Sequence, residues 1–292
     1  MGKKHNLVSL YGLAVALFWG LTFLSIKVAV TELKPMTLAL LRFVIASALL
    51  PLVALATHTS LALRKKDVPR LALSGFIGVT LYFFFENNGI MRLSATESSI
   101  IVGTIPILTL IIEMVLNHRR PRPVVAIGIA LSFLGIVLMV IKSGSAESSP
   151  VGYLYMIGAA ASWSAYAFLT KPLSGKYPQL SITFWQIFFG MLFCIPFALT
   201  EGQDFTMLSP AVILNLLYLG IFGSALGYWF YVIMLDRMGE TKSSVFINLI
   251  PVVSAIASFI VLGERLAPLQ IVGGVVAIAG VYMATTARSQ RA

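Results

Sequence analysis

The sequence predicts an all-α membrane protein of ten transmembrane helices, arranged as two inverted repeats of five. Three observations support this fold class: an apolar composition, apolar runs of membrane-spanning length, and an internal duplication. Of the 292 residues, 58% are hydrophobic and 11% are charged, whereas a soluble domain carries about 25% charged residues. The chain has too few polar residues to cover a water-facing surface, so lipid is the expected solvent.

The apolar residues fall into ten runs of roughly 20 residues, the length that an α-helix needs to cross a ~30 Å hydrocarbon core. Because the runs are continuous rather than alternating, they exclude a β-barrel. Only short loops remain between them, which leaves no room for a soluble catalytic or nucleotide-binding domain. The predicted spans are Leu7–Val30, Met36–Ala56, Leu71–Ile90, Ala95–Leu116, Val124–Ile141, Val151–Thr170, Leu180–Thr200, Ala211–Leu235, Ser243–Leu262 and Leu269–Thr286.

The chain repeats itself at an offset of 144 or 145 residues, which predicts a first repeat over 1–145 and a second over 146–292. Five spans are an odd number, so the second repeat must run upside down relative to the first. Inverted repeats are the basis of alternating access in secondary transporters; the alternative is a duplication with a structural role alone. Matched positions include Trp19/Trp163, Lys27/Lys171, Arg42/Gln186, Gly75/Gly220, Pro106/Pro251, Gly128/Gly273 and Gly135/Gly280.

The charge pattern predicts a topology. The net charge is +10, and most Lys and Arg residues fall on the cytoplasmic side if the N-terminus is placed there. This bias predicts N-in and C-in, and it explains the basic excess without nucleic acid as a partner. The first apolar run is too long for a secretory signal and no cleavage site follows it, so we expect a retained first helix.

The sequence contains no pattern typical of a metal site or a catalytic nucleophile. Its three histidines, His5, His58 and His118, fall in tails or loops, and Cys194 is the only cysteine. There is also no GxxxxGK phosphate loop. We therefore expect neither an enzyme nor a bound cofactor or metal.

Two acidic residues fall within predicted spans, Glu86 and Glu113. A carboxylate in the hydrocarbon region costs several kcal/mol or becomes protonated, so it should face a cavity or a partner. Both are candidates for ion coupling, and Glu86 is also a candidate to bind a cationic group. The alternatives are that Glu86 reaches water or Arg92 near the interface, and that Glu113 pairs with Arg119 or Arg120.

Further candidates for substrate binding surround Glu86 in the predicted topology. Tyr82 lies on the helical face of Glu86, Tyr228 lies on the corresponding face of span 8, and Asn88 makes the outer end of span 3 polar. Trp19 and Trp163 lie mid-span at matching positions of the two repeats, and Tyr166 lies one turn after Trp163. Aromatic rings at such depth can wall a cavity and stack on apolar or cationic substrates.

Spans 4 and 9 each carry a proline near mid-membrane, Pro106 and Pro251. Proline frees the carbonyl four residues earlier, at Val102 and Ile247, and a freed carbonyl in lipid must find a partner or line a wet cavity. Polar residues near these breaks are candidates to orient a ligand, although Asn248 could equally join helices. They are Ser99, Thr104 and Asn248.

Three basic residues lie within or at the ends of spans. Lys27 and Lys171 are near helix ends, where a lysine can reach the interface, and we expect a structural role for both. Arg42 lies about two turns into span 2, where it could reach outwards or pair with an acid. The sequence does not separate these alternatives.

Several short motifs are found towards the ends of the two repeats. They are Asn88-Gly89-Ile90-Met91, Ser98-Ser99-Ile100-Ile101, Pro106-Ile107, Ser243-Ser244, Ile250-Pro251-Val252 and Gly263-Glu264-Arg265. Together they resemble the drug/metabolite transporter superfamily, specifically its EamA-type family of ten-span carriers. The resemblance implies a central cavity lined mainly by spans 1, 3, 4, 6, 8 and 9, with spans 5 and 10 away from it. Family members move amino acids, amines, nucleobase-like metabolites and drugs, often as exporters.

One departure from the family pattern is that His118-Arg119-Arg120 stands where the second repeat has Gly263-Glu264-Arg265. A symmetric role for that acidic residue is therefore not expected here.

The sequence thus predicts a secondary transporter of the inner or plasma membrane, an exporter or exchanger of a small polar or amphipathic metabolite such as an amino acid or amine. Its expected partners are the small-molecule substrate, the lipid bilayer and a proton as candidate coupling ion; no oligomeric state is predicted. The alternatives are a channel or scramblase without alternation, although no ring of charges forms a selectivity filter, and a small-molecule sensor with a transporter fold.

Overall fold

The computed structural model describes residues 2–93, 98, 101–117, 122–140, 149–205, 208–262 and 268–286. Within these residues the chain is helical and forms no β-strand, which confirms the predicted all-α class; one isolated bridge joins Ser174 and Tyr177. The helices are α1 Gly2–Ala29, α2 Pro35–Ala56, α3 Lys65–Arg92, α4 Ile105–Asn117, α5 Pro123–Val140, α6 Pro150–Thr170, α7 Gln179–Glu201, α8 Pro210–Met238, α9 240–262 and α10 Pro268–Thr286.

Several helices are suited to a lipid environment. In the described part of the chain, five are long and apolar enough to cross a membrane: α1, α2, α3, α7 and α8. Shorter apolar stretches occupy α4, α5 and α10. The outward faces carry exposed leucines such as Leu55 and Leu199, each 76% exposed, which water would not tolerate over so large an area.

Proline sets the start of many helices. Its missing N–H is unsatisfied at a first helical position in any case, and its fixed φ suits the helix. Within a helix the missing N–H removes one backbone hydrogen bond, which α2 and α7 tolerate at Pro51 and Pro196. The helices that begin with proline do so at Pro35, Pro123, Pro150, Pro210 and Pro268.

The two mid-span prolines interrupt their helices at matching depth, as the sequence predicts. Ahead of Pro106 the chain turns at residues 103–104, so α4 begins at Ile105. This is later than the predicted start at Ala95, which lies outside the described residues. Ahead of Pro251 the chain narrows to a 3-10 turn over Phe246–Leu249.

The repeat is visible in the backbone. A π-helical segment lies inside α3 at Phe76–Leu81 and another inside α8 at Leu219–Leu226, at corresponding positions of the two repeats. Each is preceded or opened by a glycine that packs on the opposite repeat. A Cβ at Gly75 would overlap the backbone of α7, and a Cβ at Gly220 would lie 2.7 Å from the side chain of Ile45 in α2.

Helices α5 and α10 form the most intimate helix pair. At Gly128 an added Cβ would lie 2.8 Å from the carbonyl oxygen of Gly280, and at Gly135 it would lie 2.6 Å from that of Gly273. These glycines let the two backbones touch, as small residues do between membrane helices. The four positions are equivalent in the two repeats, so the pair is symmetric.

Helices α2 and α7 are joined end to end at one edge. The Glu201 carboxylate accepts hydrogen bonds from the backbone N–H groups of Met36 (2.8 Å) and Thr37 (2.9 Å), which the first turn of α2 would otherwise leave unpaired. In return, Lys34 Nζ donates to the carbonyl oxygens of Glu201 (2.5 Å) and Gly202 (2.9 Å) at the end of α7. Both charges also suit the helix dipoles that they face.

The α5–α10 contact should be intolerant of any side chain. We expect Gly135→Leu to lower the free energy of unfolding by about 1–3 kcal/mol or more, because the new atoms meet backbone rather than a movable side chain. Ala130→Leu, on the exposed face of the same helix, is the matched control and should be neutral. Thermal unfolding in detergent measures both; equal stability of the two variants would contradict this packing.

Candidate substrate cavity

A cavity lies between α1, α2, α3, α6, α8, α9 and the segment that leads into α4. None of its lining residues belongs to α5 or α10, as the family resemblance implies. Helix α2 contributes through Arg42, which the sequence did not assign to the site. The lining residues are Trp19, Thr22, Phe23, Arg42, Tyr82, Phe83, Glu86, Val102, Ile105, Trp163, Tyr228, Ile247 and Ile250.

The cavity lies across the pseudo-two-fold axis that relates the two repeats. Four pairs of equivalent positions have both members in its lining, so the space extends across the point where the repeats meet. Two of these residues, Val102 and Ile247, are those whose carbonyls the mid-span prolines free. The pairs are Trp19/Trp163, Phe83/Tyr228, Val102/Ile247 and Ile105/Ile250.

The cavity is nevertheless one-sided. Five lining residues have counterparts that do not line it, and both charged residues belong to this group. The unmatched lining residues are Thr22, Phe23, Arg42, Tyr82 and Glu86, opposite Tyr166, Ala167, Gln186, Gly227 and Tyr231. The space therefore extends from the centre into one half of the molecule only, and that half holds the charges.

Arg42 is buried, with 2% of its surface exposed. Its Nε donates a hydrogen bond to Ser224 Oγ (2.8 Å), and its Cζ lies 4.4 Å above the centre of the Phe83 ring. Its Nη1 has no hydrogen-bond partner. Arg42 thus neither reaches out to the interface nor pairs with an acid, the two alternatives that the sequence left open.

Glu86 is also buried, at 5% exposed. One carboxylate oxygen accepts a hydrogen bond of 2.7 Å from the Tyr82 hydroxyl. No nitrogen of Arg42 lies within 4.0 Å of the carboxylate, since the only ion pair among the described residues joins Arg237 and Asp236. A guanidinium and a carboxylate therefore line one cavity without a direct ion pair between them.

Aromatic rings form the wall of the cavity around Trp163. Its ring centre lies 5.0 Å from that of Trp19 in an edge-to-face arrangement and 4.9 Å from that of Tyr82. Tyr166 and Tyr228 follow at 5.1 and 5.3 Å. Such spacings are favourable for aromatic pairs, and the cluster brings together five of the residues that the sequence selected.

In the other half, hydrogen bonds close the position that corresponds to Arg42. Gln186, the counterpart of Arg42, accepts from the Tyr166 hydroxyl (2.9 Å). Its Nε2 donates to Ser74 Oγ and Thr170 Oγ1, each at 2.8 Å. Every polar atom of this side chain is paired, so the position is packed where Arg42 faces open space.

Two further predicted residues lie away from the cavity lining. Asn88 is half-buried; its Nδ2 donates to Phe84 O (2.8 Å) and its Oδ1 accepts from Arg92 Nη1 (3.0 Å). The Thr104 hydroxyl donates to the carbonyl of Ile101 (2.6 Å) within its own turn. Both side chains bond locally, while Ser99 lies outside the described residues.

The polar groups of Asn248 and Glu113 join helices in this structure. Asn248 Nδ2 donates to Ser132 Oγ of α5 at 2.5 Å, and its Oδ1 is buried without a partner. Glu113 accepts a hydrogen bond from the Thr241 hydroxyl at the start of α9. The alternative partners of Glu113, Arg119 and Arg120, lie outside the described residues.

The paired lysines bind helix ends. Lys27 Nζ donates to Leu93 O (2.7 Å), just beyond α3, and Lys171 Nζ donates to Leu235 O (2.7 Å) and Asp236 O (3.0 Å) in the last turn of α8. Each lysine thus stabilises the C-terminal end of the third helix of its own repeat, where a positive charge suits the helix dipole. This is the structural role that their positions predict.

Ser224 should be important for holding Arg42 in place. We expect Ser224→Ala to lower the free energy of unfolding by about 1–2 kcal/mol, because it removes the one hydrogen bond of a buried guanidinium. Ser47→Ala, in α2, is the control, since the Ser47 hydroxyl is buried without a partner. Denaturation in mixed micelles compares them; an equal effect of both changes would contradict the role of this bond.

Comparison with known proteins agrees with this architecture. The sequence model of the EamA-like transporter family matches residues 6–141 and 150–286, one match in each repeat. A solved crystal structure superposes on the chain with a TM-score of 0.80 at 18% sequence identity and covers 96% of both chains, which shows a shared fold.

Relatives resemble the chain over nearly its whole length. An uncharacterized transporter of Archaeoglobus fulgidus is 31% identical over 99% of both sequences. A probable terminal-alkyne amino-acid exporter of Streptantibioticus cattleyicolor is 27% identical over 91% of this chain and 89% of its own. A probable amino-acid metabolite efflux pump of Salmonella typhimurium is 28% identical over 97% and 95%.

The family match covers both repeats, and the described helices include several that can span a bilayer. The chain is a multi-pass membrane protein and belongs to the EamA-like transporter family.

Proposed function

We propose that this protein is a secondary transporter that exports or exchanges a small amphipathic metabolite, such as an amino acid or amine, by alternating access. The observation that carries the proposal is the one-sided lining of the cavity, which lies where the two repeats meet and has both of its charged residues in one half. Apolar and aromatic side chains with a few convergent polar groups line it, as they do in small-molecule sites. Two relatives named for amino-acid export support the substrate class.

The proposed topology has ten crossings with both termini in the cytoplasm. In that orientation α2 begins and α3 ends at the outer side. Arg42 follows the start of α2 by seven residues and Glu86 precedes the end of α3 by six, so each lies about 10 Å inside the outer helix ends. The charged half of the cavity is then the outer half, and the half around Gln186 is the cytoplasmic one.

Alternating access follows from exchange of the two repeat conformations. In the other state, the half with Tyr166 and Gln186 would open and the half with Arg42 and Glu86 would close, since inverted repeats offer two nearly equivalent packings. The closed half is held by three hydrogen bonds on Gln186. A barrier of this kind favours a carrier over a channel or scramblase, which would need a continuous path.

The remaining predicted residues have supporting roles in this proposal. Trp19, Tyr82, Trp163 and Tyr228 would wall the bound substrate, and Glu86 would bind a cationic group or carry a coupling proton. Glu113, held by Thr241 at the cytoplasmic end in the proposed topology, is a second position for ion coupling. The location would be the cell membrane, and no catalytic step is involved.

Loss of the buried carboxylate should impair transport. We expect Glu86→Gln to reduce amino-acid or amine counterflow in proteoliposomes at least about tenfold and to abolish any response to an imposed pH gradient. Asp236→Asn, at the far end of α8, is the control and should transport normally. Unchanged counterflow of Glu86→Gln at every pH would rule out a role for this residue.

Equivalent positions in the two repeats should be reached from opposite sides of the membrane. We expect a cysteine at Thr22 to react with an impermeant maleimide added outside, and one at Tyr166 to react in inverted vesicles. The wild type is the blank, because its one cysteine, Cys194, is buried. Labelling of both positions from the same side would contradict alternating access.

The same assay can check the topology with cysteines at exposed loop positions. His58 and Asp204 are exposed in the α2–α3 and α7–α8 loops. In the proposed orientation a cysteine at residue 58 reacts from the cytoplasm and one at residue 204 from outside. Reaction of residue 58 from outside and of residue 204 from the cytoplasm would mean that the protein has the opposite orientation. Reaction of both from one side would contradict the inverted-repeat arrangement.

A further inference from the structure

The side chain of Arg42 is bound less completely than its burial requires. It is 2% exposed and always charged, and its contacts are one hydrogen bond, to Ser224, and the rings of Phe83 and Phe43. Its Nη1 remains without a partner. A buried charge without a direct ion pair is costly, so an anionic group of a ligand at Nη1 would stabilise this side chain.

The neighbouring helix α8 leaves room for the guanidinium. Gly223 lies in the π-helical segment of α8, and a Cβ there would lie 2.8 Å from Arg42 Nη2. Ser224 Oγ holds Nε, and Phe83 holds the flat face of the guanidinium. Arg42 lines the cavity and its Nη1 has no partner, so this nitrogen is the group left to donate to a carboxylate, which a guanidinium binds well.

We propose that Arg42 binds the anionic group of a zwitterionic substrate whose cationic group binds Glu86. The substrate class is then the α-amino acid or a similar zwitterion, and a simple amine is excluded. The inference rests on the transport function proposed for the cavity and deepens it. Tyr82 holds the Glu86 carboxylate and Ser224 holds the Arg42 guanidinium, and the aromatic rings receive the rest of the molecule.

The asymmetry between the repeats explains why both substrate charges are needed. When the charged half closes, Arg42 and Glu86 come to occupy the packed environment that Gln186 and Tyr231, their neutral counterparts, have here. A zwitterion compensates both side chains at once. An amine or a carboxylic acid alone leaves one enclosed charge without a partner, and that penalty discriminates against it.

The experiment compares each substrate with its two halves. Binding to the purified protein is followed by quenching of tryptophan fluorescence for leucine and phenylalanine, for their amides, which lack the anionic group, and for their deaminated acids, which lack the cationic group. We expect at least one of the two amino acids to bind at least ten times more tightly than either of its analogues. Counterflow of the same compounds is measured in proteoliposomes.

The variants assign each charge to its residue. Arg42→Gln should weaken amino-acid binding at least tenfold and leave the amide unchanged, whereas Glu86→Gln should weaken it equally and leave the deaminated acid unchanged. Arg42→Lys keeps the charge without the planar edge and should weaken the amino acid in the same direction. Arg237→Gln, at an exposed ion pair, is the control and should bind as the wild type does.

The outcomes separate this inference from the proposed function. An amide that binds and undergoes counterflow as well as its amino acid, in wild type and Arg42→Gln alike, overturns the zwitterion site and leaves a transporter of amines. Absence of binding by both amino acids also overturns it. If the Arg42 variants fail to fold, the wild-type protein still tests the inference, because a zwitterion site requires the amino acid to bind more tightly than its amide. Absence of saturable counterflow for every compound would remove the transport function itself.

Discussion

Two side chains of opposite charge, buried in one cavity and not joined to each other, are the constraint on which this structure depends. Because no direct ion pair joins Arg42 and Glu86, their attraction across the cavity offsets only part of the hydration that burial removes. The protein meets part of the cost with Ser224, the Phe83 ring and the Tyr82 hydroxyl. A ligand with two opposite charges can offset the remaining cost of burial, and a ligand that lacks either charge loses that part of the binding energy.

The duplicated fold places these two charges in only one of two otherwise similar halves. The two repeats share their helix order, their π-helical segments and their close glycine contacts, and in the proposed mechanism their backbones exchange conformations. Their chemistry differs at the second and third helices of each repeat, where Arg42 and Glu86 stand opposite Gln186 and Tyr231. Symmetry of the backbone permits two states, and asymmetry of the side chains makes the two states bind differently, as a population shift requires.

Much of the fold was predictable because its signals are local. Continuous apolar runs allow only helices in lipid, and proline at a first turn or in mid-span fixes where helices begin or break. The wall of the cavity was also predictable in part: Trp19, Trp163 and Tyr228 are aromatic at a depth where an interfacial role is implausible, and Glu86 is acidic where acids are rare. These signals lie within single spans.

Arg42 could not be assigned from its own span, because its role depends on where α8 passes. A guanidinium two turns into a helix can reach the interface, and only the glycine and serine of the α8 π-segment, 181 and 182 residues away in sequence, create a place for it inside. Asn248 and Thr104 gave the opposite difficulty. Their polar groups are as promising in sequence as Glu86, but Asn248 Nδ2 donates to Ser132 and the Thr104 hydroxyl donates to the Ile101 carbonyl, and neither residue lines the cavity. Sequence reveals which polar groups need partners, and tertiary contacts decide whether the partner is protein.

The contacts between the repeats show how movement in one half reaches the other. Helix α2 holds α8 through Arg42 and Ser224, and helix α7 holds α3 through Gln186 and Ser74. These two contacts join equivalent pairs of helices, although Ser224 and Ser74 do not occupy matching positions, and only Gln186 has all of its polar atoms paired. In the proposed mechanism, a ligand that binds Arg42 Nη1 completes the first contact and favours the state in which the two environments are exchanged. Substrate binding would then drive closure of the charged half, and the α5–α10 pair, which contributes no residue to the cavity lining, would stay in place.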